Sequence, residues 1–407
     1  MEPPRAKPVK LLIATEFPPN ASGGGPAVIR QMLRGWPTSE LYWWSCLADR
    51  DKRFGQKVAG HFCAAIPRKL IPHRRWTRMK STLLDWFWTP FASSHLRKTI
   101  RRVQPDVVWA IPHDWSILPL AGCLLNSPQV FHVSLHDYPD VHDSSRRFGK
   151  KRCARMADFA DQLYKSGTTR DAISQPMADD LVGRTGRSAD AIVRFGLESD
   201  RIQDLHETTQ THDASKTTIR LAHAGTIHKH AVFELLIESL DKLRGRLSRQ
   251  LQLHLYGAHS YRTQRWFNSA WMVEHGNLPD TELNAQLQQC DWGLLSMSLD
   301  NSDPRYDRFS FPTKFIAYLA AGLPIITLAH KEAAAARMAA AYNVGLLSHS
   351  TDASKLSEEL CNTLDNANSR HTYRSEIIRC AHEQFDARRM RQNLFQCFEK
   401  SANQATS

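Results

Sequence analysis

Apolar residues in this chain gather in short runs closed by glycine, proline or a polar turn, and segments with helical apolar spacing separate the runs. In the first half the runs fall at 10–15, 41–47, 106–111 and 130–135, with a helix predicted from Pro26 to about Gly35. In the second half they fall at 219–224, 251–256, 291–297 and 323–328. Short strands alternating with helices predict α/β sheets whose strands run parallel. Between the two series, residues 200–218 are polar and nearly aperiodic, as expected of a linker. The predicted organisation is therefore two Rossmann-like α/β domains facing across a cleft. Residues 1–200 form the first, 201–218 the linker, 219–381 the second, and 382–407 a C-terminal helix and tail. In that helix Phe385, Met390, Leu394 and Phe398 recur at three- and four-residue spacings and should bury one face.

The most specific local pattern lies at 309–326. Pro312 stands where the first turn of a helix begins, its φ already set, and Gly322 closes the helix before the apolar run that follows. A strand, this helix and a second strand make a βαβ unit, which points the helix N-terminus out at the carboxyl edge of a parallel sheet. Amides of Thr313 and Lys314, the positive helix end and the Lys314 ammonium meet there, with Ser310 just before them, so the turn suits a bound phosphate.

Composition narrows the picture. At 407 residues, 42% hydrophobic and 23% charged, the chain has the balance of a soluble protein long enough for two cores, and it contains no run of about eighteen apolar residues. The N-terminal residues enter a strand without an apolar leader, which points to the cytoplasm. Eight scattered cysteines form no CxxC pair, which argues against structural zinc and a disulfide framework. A net charge of +12 attracts anionic partners of any kind. Its distribution says more: between Arg68 and Arg102 ten Lys/Arg residues stand against one acid, Asp85, with Trp76, Trp86, Phe87, Trp88 and Phe91 interleaved. That mixture fits a surface lying on the inner face of an anionic membrane. It equally fits a solvated basic helix whose aromatics enter the core. No nucleic-acid-binding motif accompanies the charge, so nucleic acid is not an expected partner.

Candidate chemistry sits at the carboxyl ends of the predicted strands. Gly23-Gly24-Gly25 before Pro26 lets a backbone approach a ligand, or simply turns. With Val28 in place of a third glycine it is not G-x-G-x-x-G, although Asp49 has the place of a ribose-binding acid. His136-Asp137 ends a strand where an imidazole can position or polarise a hydroxyl, and His113-Asp114 repeats the pattern as loop polarity or cleft lining. Gly225-Thr226 opens the second half, and Lys229 follows within reach of the phosphate that Lys314 would hold.

Taken together these stretches resemble the GT-B glycosyltransferases, in particular the retaining glycosyltransferase family 4. The chain is similar to that family at the glycine loop 23–25, the strand 133–137 ending in His136, the segment 193–202, the shortened glycine-to-lysine motif 225–229, the loop 276–283 with the strand 290–296, and, most specifically, 311–324. The resemblance implies transfer from a nucleotide-diphosphate sugar to a glycan or lipid-linked acceptor with retention, as a hexosyltransferase of surface polysaccharide or glycoconjugate synthesis. It implies His136, Lys229 and Lys314 as catalytic residues and Gly225, Thr226, His228, Ser310, Pro312 and Thr313 at the donor. Gly23, Gly24, Gly25 and Asp137 would stand at the acceptor. No metal and no cofactor beyond the sugar nucleotide are expected, because the leaving diphosphate is met by lysines and amides.

Two departures matter. Phe309 and Ala317 occupy the positions of the family's paired glutamates, so the donor ribose would need an acceptor from Asp303, Asp307 or Ser310. The expected arginine of the first donor motif is absent, leaving Lys229 with His228 or His230. Alternatives are a catalytically silent binding protein, a nucleotide-sugar epimerase of the same fold, and a dinucleotide oxidoreductase, the last disfavoured by the missing glycine.

Overall fold

A computed structural model of the chain describes residues 8–21, 24–49, 56–67, 76–138, 148–207, 217–227, 229–300, 308–364 and 369–406. The chain divides into two compact units, Met1–Phe195 with Arg389–Ser407, and Gly196–Arg388.

In the first unit the predicted runs become β1 (Leu11–Thr15), β2 (Leu41–Ser45), β4 (Val107–Ile111) and β5 (Phe131–Leu135), joined by β3 (Gly60–Cys63), β6 (Thr169–Ala172) and β7 (Ala191–Ile192). All pair in parallel in the order β3-β2-β1-β4-β5-β6-β7. The order reverses at β1 and β4, which sit side by side with Leu11 opposite both Leu41 and Val107. That reversal is the topological switch point where open α/β sheets place their ligands. One core layer combines Leu11, Ile13, Trp43, Val107 and Trp109 with Ile29 and Met32 from the helix Gly24–Met32.

The same layer takes in Met390, Leu394 and Phe398, so the last helix returns to the first unit. The Phe398 ring lies 5.3 Å from Trp109 and 5.2 Å from His132. Beside it runs a buried polar chain: His132 bonds Asp171 at 2.7 Å and Thr169 at 2.8 Å, and Thr169 bonds Ser401 of the returning helix at 2.6 Å. The expected helix over 382–400 is in fact the ends of two, Ser369–Phe385 and Ala387–Thr406. The break at Asp386 has a local cause. Leu197 takes backbone hydrogen bonds on both sides, its N–H donating to Phe385 O (2.6 Å) and its carbonyl accepting from Ala387 N (2.9 Å). Asp386 Oδ1 then accepts from Arg388 N at 2.9 Å, opening the second helix. Within the expected linker, Ser199–Glu207 is helical, with Ile202 and Leu205 buried, while 208–216 lie outside the described residues.

The second unit repeats the plan with β8 (Thr218–Ala224), β9 (Gln250–Tyr256), β10 (Met272–Gly276), β11 (Trp292–Ser296), β12 (Ile325–Leu328) and β13 (Leu347–Ser348), in the parallel order β10-β9-β8-β11-β12-β13. Both units thus have a Rossmann strand order, in keeping with the Rossmann-like α/β fold expected from the sequence. β8 pairs with β9 along its whole length, from Thr218↔Gln250 to Ala224↔Tyr256. With β11 it pairs only at Trp292↔Leu221 and Gly293↔Ala222, after which the two strands part. Tyr318, from the helix Thr313–Ala320, fills the opening: its hydroxyl accepts from Ala224 N and donates to Leu294 O, each at 3.0 Å. Its ring lies on Gly293, where a Cβ would come within 2.5 Å of Tyr318 Cγ. Gly293→Ala should therefore destabilise the protein by about 1–3 kcal/mol through overpacking. Urea unfolding with an unchanged midpoint would mean that the tyrosine does not hold this place.

Candidate functional site

The site residues expected from the sequence in the second unit collect at its switch point, on the loops that leave β8 and β11. Gly225 turns with φ +84°, a left-handed conformation that favours glycine. Its N–H donates to Tyr256 O at 2.7 Å, and Gly257 lies so close that a Cβ there would be 3.2 Å from Gly225 O. Next along, Ile227 N donates to the Tyr261 hydroxyl at 3.1 Å, which fixes the loop before the helix His230–Leu243. Lys229 is the residue that precedes this helix, partly buried; His228 lies outside the described residues.

From the other side comes the phosphate-type turn. Pro312 is extended and immediately precedes the helix Thr313–Ala320, rather than forming its first turn. Thr313 is exposed, whereas Lys314 folds inward. Its ammonium donates to Thr226 O at 2.8 Å and lies 3.5 Å from Nε2 of His223, a buried residue of β8. The helix start and the Gly225–Thr226 turn are thereby tied together by one cation. Burial pushes the Lys314 pKa down to about 8. Tyr318, one turn along, faces the same way as Lys314. Of the departures noted above, Phe309 is buried, Ser310 and Ala317 are partly buried, and Asp303 and Asp307 lie outside the described residues.

In the first unit, Gly24 and Gly25 form the opening turn of the helix Gly24–Met32 instead of a loop before it, and Gly23 lies outside the described residues. A Cβ on Gly25 would sit 3.5 Å from the Phe17 ring. Asp49, in the place of a ribose-binding acid, accepts from the Asn20 amide at 2.7 Å. His136 follows β5 and is buried, and burial lowers its pKa, so the imidazole is neutral near pH 7. Asp137 beside it is exposed.

His113 proves to be more than loop polarity. It leaves β4 at the switch point, and its Nδ1 lies 2.7 Å from the carboxylate of Glu16, the buried residue that follows β1. Burial works against the imidazolium, but the hydrogen bond and charge of Glu16, helped by Asp114 and Asp137, outweigh it and raise the His113 pKa to about 9. Glu16, His113 and Asp114 also bring their ligand atoms within 4.8 Å of one another. Sequence reading passed over Glu16, His223 and Tyr318. Glu16 is the first polar residue after an apolar strand, a position that itself marks the ligand edge of a parallel sheet; nothing in the sequence singled out the other two.

Two Rossmann-type units with these loops at their switch points make up the GT-B fold of glycosyltransferases. Residues 239–368 match the family described as glucosyltransferase 3-like, C-terminal domain. The chain is similar to HepE of Anabaena in complex with UDP and glucose, at 13% identity over 95% of this chain and 98% of that one, with a TM-score of 0.65. It is also similar to sucrose-phosphate synthase of Thermosynechococcus elongatus, at 12% identity over 98% and 99% of the two chains, TM-score 0.69. A third likeness is to α,α-trehalose 6-phosphate synthase of Burkholderia multivorans, at 12% identity over 98% of each chain, TM-score 0.63. No curated protein matches the sequence.

The depressed Lys314 pKa has a stability signature. Between about 8 and the ~10.4 of a solvated lysine, the unfolded chain holds a proton that the folded one releases. Folding stability without ligand should therefore rise with pH across this window by more than in Lys314→Met. Comparing the two by urea unfolding at pH 8 and pH 10 isolates this residue, because other groups titrate alike in both. Identical pH dependences would show that the ammonium is solvated.

Proposed function

We propose that the protein transfers a sugar, of the hexosyl class, from a nucleoside-diphosphate sugar to a hydroxyl of a glycan or lipid-linked acceptor, with retention at the anomeric carbon. Surface polysaccharide or glycoconjugate synthesis is the setting that fits. The observation that carries the reading is Lys314, held by Thr226 O at the start of a helix on the carboxyl edge of the sheet. A diphosphate placed there meets a partly buried ammonium and the first-turn amides of Thr313 and Lys314, groups that stabilise charge as the glycosidic bond breaks. Lys229 at the next helix start adds a second positive charge, and Gly225, Thr226, Ser310 and Pro312 shape the backbone around the donor. UDP and glucose bound to HepE support this choice of donor.

On the acceptor side, neutral His136 can accept or donate a hydrogen bond to a sugar hydroxyl. Charged His113 is a donor only, its counter-charge supplied by Glu16. A phosphate oxygen of the donor would take the acceptor proton, which gives same-face attack without a protein nucleophile. The reading requires no metal, since cationic side chains and amides meet the leaving group.

Thermal unfolding in the presence of UDP, GDP, ADP and NAD tests the donor class. A nucleoside diphosphate should raise the midpoint, and Lys314→Ala should abolish the rise. His136→Ala should retain the rise but lower transfer by roughly 10²–10⁴-fold, assayed with a donor panel and a lipid extract. A shift with NAD alone, or with none of the four, would sink the transferase reading.

A further inference from the structure

The helical run through Thr77–Leu83, a wide π-type turn at Leu84–Trp88 and Thr89–Val103 is continuous, about 40 Å long at ~1.5 Å per residue. Leu84, Trp88, Ala92, Leu96 and Val103 line its buried face, and the Trp88 indole donates to Ala64 O at 3.1 Å. The other face is exposed among the described residues. Trp76 is 71% exposed, Met79 53%, Leu83 38%, Trp86 74%, Phe87 71% and Phe91 56%. Among the described residues only Val182 and Val273 are large apolar groups of comparable exposure, so the six form one stripe rather than a scatter. Its continuity owes something to the wide turn, which brings neighbouring Trp86 and Phe87 both to the surface while Leu84 and Trp88 stay inside.

Charge distinguishes what this stripe meets. The one acid of the segment, Asp85, is taken up by Arg152, whose Nε and Nη2 reach it at 2.8–3.2 Å, and by Arg155 at 2.7 Å. Lys98 and Arg102, both exposed, stand seven and eleven residues beyond Phe91 and therefore on its face. Large aromatics flanked by cations, with the local carboxylate already neutralised, complement a surface that is apolar inside and anionic at its edge. A second copy of the chain would add positive charge to this face rather than balance it. Among the described residues no helix is long and apolar enough to cross a membrane, so the run would lie along the interface.

We propose that this face docks on an anionic lipid bilayer, with Trp76, Met79, Leu83, Trp86, Phe87 and Phe91 entering the headgroup region and Lys98 and Arg102 contacting lipid phosphates. The proposal does not depend on sugar transfer. Sedimentation of the full chain with vesicles of phosphatidylcholine, with and without phosphatidylglycerol, tests it. Expected is binding that needs phosphatidylglycerol and weakens with salt. Trp86→Ser/Phe87→Ser should lower the partition coefficient at least about tenfold with an unchanged thermal midpoint. Lys98→Glu/Arg102→Glu should remove the preference for anionic vesicles, and both variants should keep the thermal shift with nucleoside diphosphate, which separates this proposal from the donor reading. Wild-type protein left in the supernatant with both vesicle types would overturn it. So would a wild-type dimer, without vesicle binding, that Trp86→Ser/Phe87→Ser converts to monomer.

Discussion

The second unit is organised around the parting of two parallel strands. Once β8 and β11 separate beyond Gly293, the Ala224 N–H and the Leu294 carbonyl lose each other as partners, and each left unsatisfied in the interior would cost about 1–3 kcal/mol. One hydroxyl meets both, because Tyr318 accepts from the first and donates to the second. The wedge needs room, which the missing side chain of Gly293 supplies. It also fixes the helix that carries it, so Lys314, four residues earlier on the same face, comes to lie over the Gly225 turn. The position of Lys314 is in this sense a by-product of closing a gap in the sheet.

The two switch points treat their cations in opposite ways. Lys314 lies against a backbone carbonyl and the His223 ring, and burial weakens its hold on the proton. Negative charge placed beside it would restore that hold. His113 keeps its proton through Glu16 and is charged whether or not a ligand is present. The charge of Lys314 depends on what lies beside it; that of His113 is held by Glu16.

Sequence patterning revealed the strands with continuous apolar runs and missed those whose burial depends on partners far away. β6 reads Thr-Arg-Asp-Ala, polar by any scale, yet Thr169 and Asp171 are buried because His132 on the neighbouring strand bonds both. Short β3, β7, β10 and β13 likewise owe their state to the strands beside them. Pro312, Gly322 and the run after them announced the βαβ turn locally, and the turn is there. Glu16 and His113 stand 97 positions apart, so their pairing is a property of strand order and invisible to spacing. For the aromatics of 76–91 composition allowed both fates; Trp88 went into the core and Trp86, Phe87 and Phe91 stayed outside, a division set by the wide turn.

The return of the last helix bears on how the molecule is made. Met390, Leu394 and Phe398 belong to the same apolar layer as Leu11, Trp43 and Trp109, and Ser401 ends the polar chain that begins at Asp171. A chain emerging from the ribosome has its first seven strands long before these residues exist, since domains are ordinarily folded from the N-terminus as they appear. Here the first unit waits, with Trp109 and His132 uncovered, until the second has been synthesised and the final helix released. Completion of the first unit's core is therefore tied to synthesis of the whole chain.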